Sequence, residues 1–324
     1  MDSNISVIVH GGAGKLSPEL TKLKLPFLKY ALEEAWDALL AGKPGEFAVV
    51  EALKVMEGCE YFNAGYGGYP NVNGIVLMDV GLMKGNLDFV SLINVRRVKY
   101  PSVIALDMLH PGKTLFSVWT HELMTDLDNA PEFIKEKYGL VKSHEDLVAP
   151  YVKELLKKRE VPEVTQDEDL HGTVGCVVRD RNGKLAAGTS TGGVSLKYNG
   201  RIGDTPVIGS GVYAHDEICA LSTTGHGESF LKTLISGFII GEMRAKLKDD
   251  KECFLRDQSA LRALLDREMA ELGRKSSGKG AVIVMPPKGD PAYTFNSEMV
   301  SIGIKTPNYE DVFIDCADGK KIRD

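Results

Sequence analysis

Two periodicities alternate along the chain. Residues 5–10 form a short apolar run ending at a glycine turn, the pattern of a buried strand. Over residues 20–40 the apolar side chains Leu28, Leu32, Trp36 and Leu40 instead recur four apart, which lays them along one helix face. A second helix is expected over 47–56, then a buried strand over 74–80 and helices over 115–127 and 144–158. Past residue 173 the texture changes. Apolar runs at 174–179, 185–189 and 218–223 follow closely with glycine turns between them, as in an antiparallel meander. Long helical patterns at 228–247 and 258–272 precede strands at 281–285, 292–296 and 300–305. Strand clumps alternating with helix pairs predict an α+β fold, two packed antiparallel sheets sandwiched by helices in four αββα layers.

Composition narrows the class without changing this architecture. With 324 residues, 43% hydrophobic and 26% charged, the chain is ordinary globular material able to bury a large core. No Pro/Ser/Gly-rich linker and no internal repeat divides it, and the charged stretch 154–168 fits a solvated helix end and loop inside one domain. A net charge of −6 with scattered Lys and Arg argues against nucleic acid as a partner. Five cysteines (Cys59, Cys176, Cys219, Cys253 and Cys316) without a Cys-x-x-Cys pair point to reduced buried thiols rather than disulfides or zinc. The apolar run 233–240 is too short to span a bilayer, and Met1-Asp2-Ser3-Asn4 lacks the basic start of a signal peptide, so a cytoplasmic protein is expected.

Candidate chemistry centres on His171-Gly172-Thr173-Val174-Gly175-Cys176. A threonine after a glycine, opening a strand, is ordinarily a turn entering a sheet. It is also what a chain needs in order to cut itself. An internal threonine hydroxyl has no built-in base, whereas an N-terminal threonine carries an α-amine of pKa about 7.7–8.0, suited to proton abstraction near neutrality. Three clusters follow: Gly188-Thr189-Ser190-Thr191-Gly192-Gly193, Gly200-Arg201-Ile202-Gly203-Asp204-Thr205-Pro206 and Ser222-Thr223-Thr224-Gly225-His226-Gly227-Glu228. Upstream lie Val9-His10-Gly11-Gly12-Ala13-Gly14 and Phe62-Asn63-Ala64-Gly65-Tyr66-Gly67. The first of these is no phosphate loop, because Gly14-Lys15-Leu16 lacks the metal-binding hydroxyl such loops end on.

In this order the motifs resemble the plant-type asparaginase and isoaspartyl peptidase family of N-terminal-nucleophile hydrolases, over roughly residues 5 to 305. The resemblance implies a single domain that cleaves between Gly172 and Thr173 into 1–172 and 173–324, and a dimer of cleaved protomers. It implies Thr173 as nucleophile, Thr191 orienting its hydroxyl, and an oxyanion hole from Thr224 and Gly225, although Thr224 and Gly225 alone read as a turn and helix cap. Arg201 and Asp204 would ordinarily be a surface ion pair. A guanidinium and a carboxylate on a glycine-rich loop also suit the α-carboxylate and α-ammonium of an amino acid, the role the family gives them. The family further implies Gly227 as a backbone contact to substrate, Asn63 near the nucleophile, and a structural sodium ion on the carbonyls of Met56, Glu57, Cys59, Phe62, Ala64 and Tyr66, with no organic cofactor. His226 is expected at the pocket rim, because the α-amine already supplies a base.

The implied activity is hydrolysis of a side-chain amide of an aspartyl unit, in a β-aspartyl dipeptide or L-asparagine. Where the family usually has a basic residue, glycine and a small residue after Asn63-Ala64-Gly65, this chain has Tyr66-Gly67-Gly68-Tyr69-Pro70, and residues 77–85 also depart. Both changes fall on the leaving-group side and leave the preference among substrates open. Two alternatives stand beside this: a glycosylasparaginase, and an uncleaved, catalytically silent member that binds amino acids or a protein.

Overall fold

The computed structural model describes residues 4–15, 17–109, 116–157, 172–249 and 257–323; Met1 to Ser3, most of the charged stretch 154–168, His171 and Cys253 lie outside them. Thirteen strands are seen among these residues: β1 (Ser6–Gly14), β2 (Leu77–Lys84), β3 (Phe89–Arg96), β4 (Val118–Thr120), β5 (Val174–Arg179), β6 (Leu185–Thr191), β7 (Val212–His215), β8 (Cys219–Gly225), β9 (Gly280–Met285), β10 (Ala292–Phe295), β11 (Met299–Thr306), β12 (Tyr309–Cys316) and β13 (Lys321–Ile322). The helices are α1 (Pro18–Leu40), α2 (Gly45–Glu57), α3 (Pro101–Leu109), α4 (Leu123–Asp128), α5 (Glu132–Tyr138), α6 (Pro150–Lys157), α7 (Gly227–Thr233), α8 (Ile235–Asp249) and α9 (Gln258–Ser276).

The strands form two sheets. One has nine strands in the order β13-β12-β11-β1-β5-β6-β2-β3-β4, the other four in the order β10-β9-β8-β7. The small sheet is antiparallel throughout, but the large one departs from the expectation at its edge, where β4 runs parallel to β3. Strand periodicity explains the packing. Ala281, Ile283 and Met285 of β9 and Ala220 of β8 join Ile8, Val177 and Ala187 of the large sheet in one apolar cluster. The alternate residues Val282, Val284 and Leu221 pack instead with Ile239, Met243, Leu265 and Met269 of α8 and α9. On the large sheet, Val7, Val9 and Val178 pack with Leu28, Leu32 and Leu53 of α1 and α2. Even- and odd-numbered positions thus serve different layers, as a period of two requires. Leu28 and Leu32, fully buried, are each worth roughly 1.5–3 kcal/mol of transfer free energy. Leu40, the last of the expected stripe, is exposed where α1 ends, and Leu39 is buried in its place.

Four expected elements are corrected. The helix over 115–127 is a strand at Val118–Thr120, pairing with Ser91 to Ile93, followed by α4; β-branched Val118 and Thr120 complete the edge of β3, which no local pattern announces. The helix over 144–158 is one 3₁₀ turn and then α6, because Pro150 restricts the residue before it and suits a first helical position. The strand over 74–80 begins at Leu77, since Gly74 (φ 77°) belongs to a turn closed by Asn71. The helix over 228–247 is broken at Leu234, whose φ of 53° ends α7. Cys59, Cys176, Cys219 and Cys316 are buried, free thiols, as expected.

Candidate active site

Thr173 lies one residue before β5, at the end of the large sheet, beside Thr191 at the end of β6. The ladder between these strands begins one step on, with Val174 opposite Ser190. The Thr173 hydroxyl donates to Thr191 Oγ1 at 3.0 Å, and Thr191 Oγ1 also accepts from the Gly193 amide at 3.0 Å. Gly172 sits against Asn63: a Cβ there would come within 3.0 Å of the Asn63 backbone nitrogen. Asn63 Oδ1 accepts from the Tyr69 amide (2.9 Å) and its Nδ2 donates to the Gly193 carbonyl (2.6 Å), while its own carbonyl accepts from Gly192. Both ends of this amide are therefore held by backbone, and what Asn63 does visibly is tie its loop to the 192–193 turn beside Thr173.

The small sheet supplies the opposing wall. Residues 220, 222 and 224 of β8 share the face that carries Ala220 toward the large sheet. Thr224 is 1% exposed, and its hydroxyl is a buried group with no hydrogen-bond partner. Gly225 adopts φ 133°, a conformation that side chains rarely take, and a Cβ there would collide with the Lys279 carbonyl. His226 caps α7 through its backbone and is half-buried. The opposite face of β8 carries Thr223, whose hydroxyl donates to Asp204 Oδ2 at 2.6 Å. Asp204 is buried, and desolvation pushes its carboxyl above the ordinary range despite that hydrogen bond. Its Oδ1 would lie 2.6 Å from a Cβ on Gly227.

Arg201 does not form with Asp204 the surface ion pair that is the ordinary reading of their spacing; it pairs with Glu228. Its Nε and Nη2 donate to the two oxygens of Glu228 at 2.8 and 2.7 Å. Glu228 thus takes the side-on edge of the guanidinium. The Nη1/Nη2 edge faces Gly193, Gly203 and Gly227, where a Cβ would lie 3.0 to 3.3 Å from those nitrogens. That glycine-bounded edge is free to fork onto a carboxylate. Behind it runs a fully buried ion pair, Lys197 Nζ to Asp79 Oδ2 at 3.7 Å, with Asp79 opposite Thr191 in the ladder and Lys197 donating to the Leu77 carbonyl. Burial lowers the Lys197 pKa and raises that of Asp79. Glu228, Lys197 and Asp79 carried no role in the sequence. A lysine four residues before Arg201, in the same glycine-bounded segment, was the available signal.

The loop after α2 gathers carbonyl oxygens. Those of Cys59 and Glu60 would lie 2.8 and 2.9 Å from a Cβ on Gly67, and that of Phe62 closer still; those of Glu57 and Lys99 crowd Gly65 in the same way. Of the six expected carbonyls these crowded groups include Glu57, Cys59 and Phe62, uncharged oxygens of the type a hard cation takes. Three of the six expected carbonyls, Met56, Phe62 and Ala64, already accept a hydrogen bond within the loop, leaving each a second lone pair. Among the described residues no group of three His, Cys, Asp or Glu could hold a metal, and no helix is long and apolar enough to cross a membrane. Below the loop the fully buried Glu57 carboxyl accepts from Ser190 Oγ (2.7 Å) and from the Ser102 hydroxyl and amide, and desolvation pushes its pKa up to about 8.

The chain belongs to the asparaginase family, whose model (Asparaginase_2) matches residues 3–314. It is similar to the isoaspartyl peptidase/L-asparaginases of Danio rerio (32% identical, covering 91% of this chain and 90% of the relative) and Xenopus laevis (33%, 91% and 90%). It is also similar to the isoaspartyl peptidase of Salmonella typhimurium (31% identical, 90% of this chain and 92% of the relative).

Proposed function

We propose that this chain is an isoaspartyl peptidase/L-asparaginase that hydrolyses side-chain amides of aspartyl units through Thr173. Two observations support the proposal: the Thr173–Thr191 hydroxyl pair, and the unpartnered, buried Thr224 hydroxyl on the face of β8 that carries Ala220 toward the large sheet. The α-amine released by cleavage after Gly172 takes the proton from Thr173 Oγ as that oxygen attacks the side-chain carbonyl carbon. The Thr224 hydroxyl and Gly225 amide receive the oxyanion. Collapse expels the leaving amine, which takes the proton back from the α-ammonium. Water, activated by the same amine, then splits the acyl ester and releases aspartate. The open edge of Arg201 takes the substrate α-carboxylate and Asp204 the α-ammonium, with Gly227 bounding their pocket.

The same reading makes the chain one αββα sandwich domain cut into 1–172 and 173–324. It works in the cytoplasm as a dimer of cut protomers; light scattering that returns a single protomer mass refutes the assembly. The carbonyls of Met56, Glu57, Cys59, Phe62, Ala64 and Tyr66 would hold a sodium ion, which would stiffen the loop carrying Asn63. Denaturing electrophoresis and Edman sequencing test the core of the proposal. Purified protein should give two fragments, the smaller beginning Thr-Val-Gly-Cys-Val, and Thr173→Ala should give one chain with no β-aspartyl dipeptide turnover. Full activity from Thr173→Ala refutes it.

A further inference from the structure

His10 is fully buried on β1, and the sequence assigns its imidazole nothing. Its Nδ1 lies 3.1 Å from the carbonyl oxygen of Thr173 and its Nε2 lies 2.8 Å from Ser222 Oγ. Ser222 Oγ in turn lies 2.6 Å from Thr189 Oγ1, which also reaches the Gly211 carbonyl at 3.0 Å. Hydrogen-bonding capacity settles the protons. A carbonyl oxygen can only accept, so Nδ1 carries the hydrogen; Nε2 must then accept, and the Ser222 hydroxyl must donate to it. Desolvation lowers the imidazole pKa to about 3, which keeps the ring neutral and this tautomer in place at ordinary pH.

The arrangement has a dedicated opening. His10, Gly175 and Thr189 form one rung across β1, β5 and β6, and Ser222 reaches it from the facing sheet. A Cβ on Gly175 would collide with both His10 Nε2 and Ser222 Oγ. Gly175 therefore clears the space in which the two meet. Thr173 itself lies outside the ladder, whose register begins at Val174 toward β6 and at Gly175 toward β1. Once the bond to Gly172 is cut, a residue so placed is a chain end that frays unless something outside the ladder holds it.

We propose that His10 is a positioning residue whose Nδ1–H clamps the carbonyl of Thr173 and so holds the freed α-amine and Oγ in reacting orientation. Ser222, donating to Nε2, holds the other side of the ring. The inference rests on Thr173 being the nucleophile. Two amide substitutions separate the clamp from simple core filling, because Asn presents its Nδ2 where Nδ1 stood while Gln carries its amide on toward the place of Nε2. His10→Asn keeps the donor to Thr173; His10→Gln keeps only the contact with Ser222.

Turnover of a β-aspartyl dipeptide is measured for parent, His10→Asn and His10→Gln, normalised to the free Thr173 N-terminus counted by Edman sequencing, with melting temperature recorded for each. The expected result is a kcat within about 10-fold of parent for His10→Asn and a loss of about 10²-fold for His10→Gln, with KM within about 3-fold in both, as for a displaced rather than a missing reacting group. Equal losses in the two variants, losses that follow melting temperature alone, or a change confined to KM overturn the clamp. Thr173→Ala in the same assay keeps the two failures apart. If it retains turnover, the nucleophile assignment falls; if it is inactive while His10→Gln matches parent, only the clamp falls.

Discussion

Thr224→Val turns the oxyanion hole into a measurement with two opposite signs. Valine replaces the hydroxyl by a methyl of nearly equal volume on a β-branched frame, so β8 keeps its rotamer preference and its packing. The hydroxyl it removes is buried at 1% exposure and has no partner. A buried hydroxyl without a hydrogen bond costs the fold about 1–3 kcal/mol by mutational measures, so its removal should leave stability unchanged or raise it by about 1 kcal/mol. Catalysis should move the other way. Loss of one oxyanion donor lowers kcat by about 10²- to 10³-fold, equivalent to about 2.7–4 kcal/mol of transition-state stabilisation, while KM stays near the parent value because the donor meets developing charge rather than bound substrate. Steady-state kinetics on a β-aspartyl dipeptide and a thermal melt of the same preparation, scored for complete cleavage at Thr173, read both quantities. A kcat within threefold of parent, or a kcat loss accompanied by an equivalent loss of stability, would refute the assignment of Thr224 to the oxyanion.

Two further outcomes follow from the charges around the site. Arg201→Ala should raise KM for β-aspartyl dipeptides by about 10²-fold or more while cleavage after Gly172 proceeds, and Arg201→Lys should not restore it, because a point charge cannot fork onto a carboxylate; parental kinetics in Arg201→Ala would remove it from the site. Glu57, whose carboxyl pKa rises to about 8 on burial, binds a proton in the folded chain that the unfolded chain releases above its ordinary pKa near 4.5. Stability should therefore fall as pH rises from about 4.5 to 8, by a few kcal/mol at about 1.4 kcal/mol per pH unit. Glu57→Gln should flatten that slope in denaturant titrations, and an unchanged slope would show that another group sets it.

The sequence by itself determined what is local. Alternation and four-residue spacing are sufficient for β1, β5, β6, β9, β11, α1, α2 and α9, because their periods arise from residues a few positions apart. The clusters around Thr173, Thr191, Arg201 and Thr224 were readable locally only as turns, a helix cap and an ion pair; the expectation of a site came from their order along the chain, which resembles the asparaginase and isoaspartyl peptidase family. Tertiary structure decided the rest. Residues 118–120 became strand because the edge of β3 was open to them, and Leu234 broke a helix whose apolar pattern runs on through it. In the site, Arg201 is held by Glu228 rather than by nearby Asp204, and His10 meets a serine 212 positions away. The His10–Ser222 bond leaves no periodic trace, because it depends on where two sheets face one another and on the absence of a Cβ at Gly175.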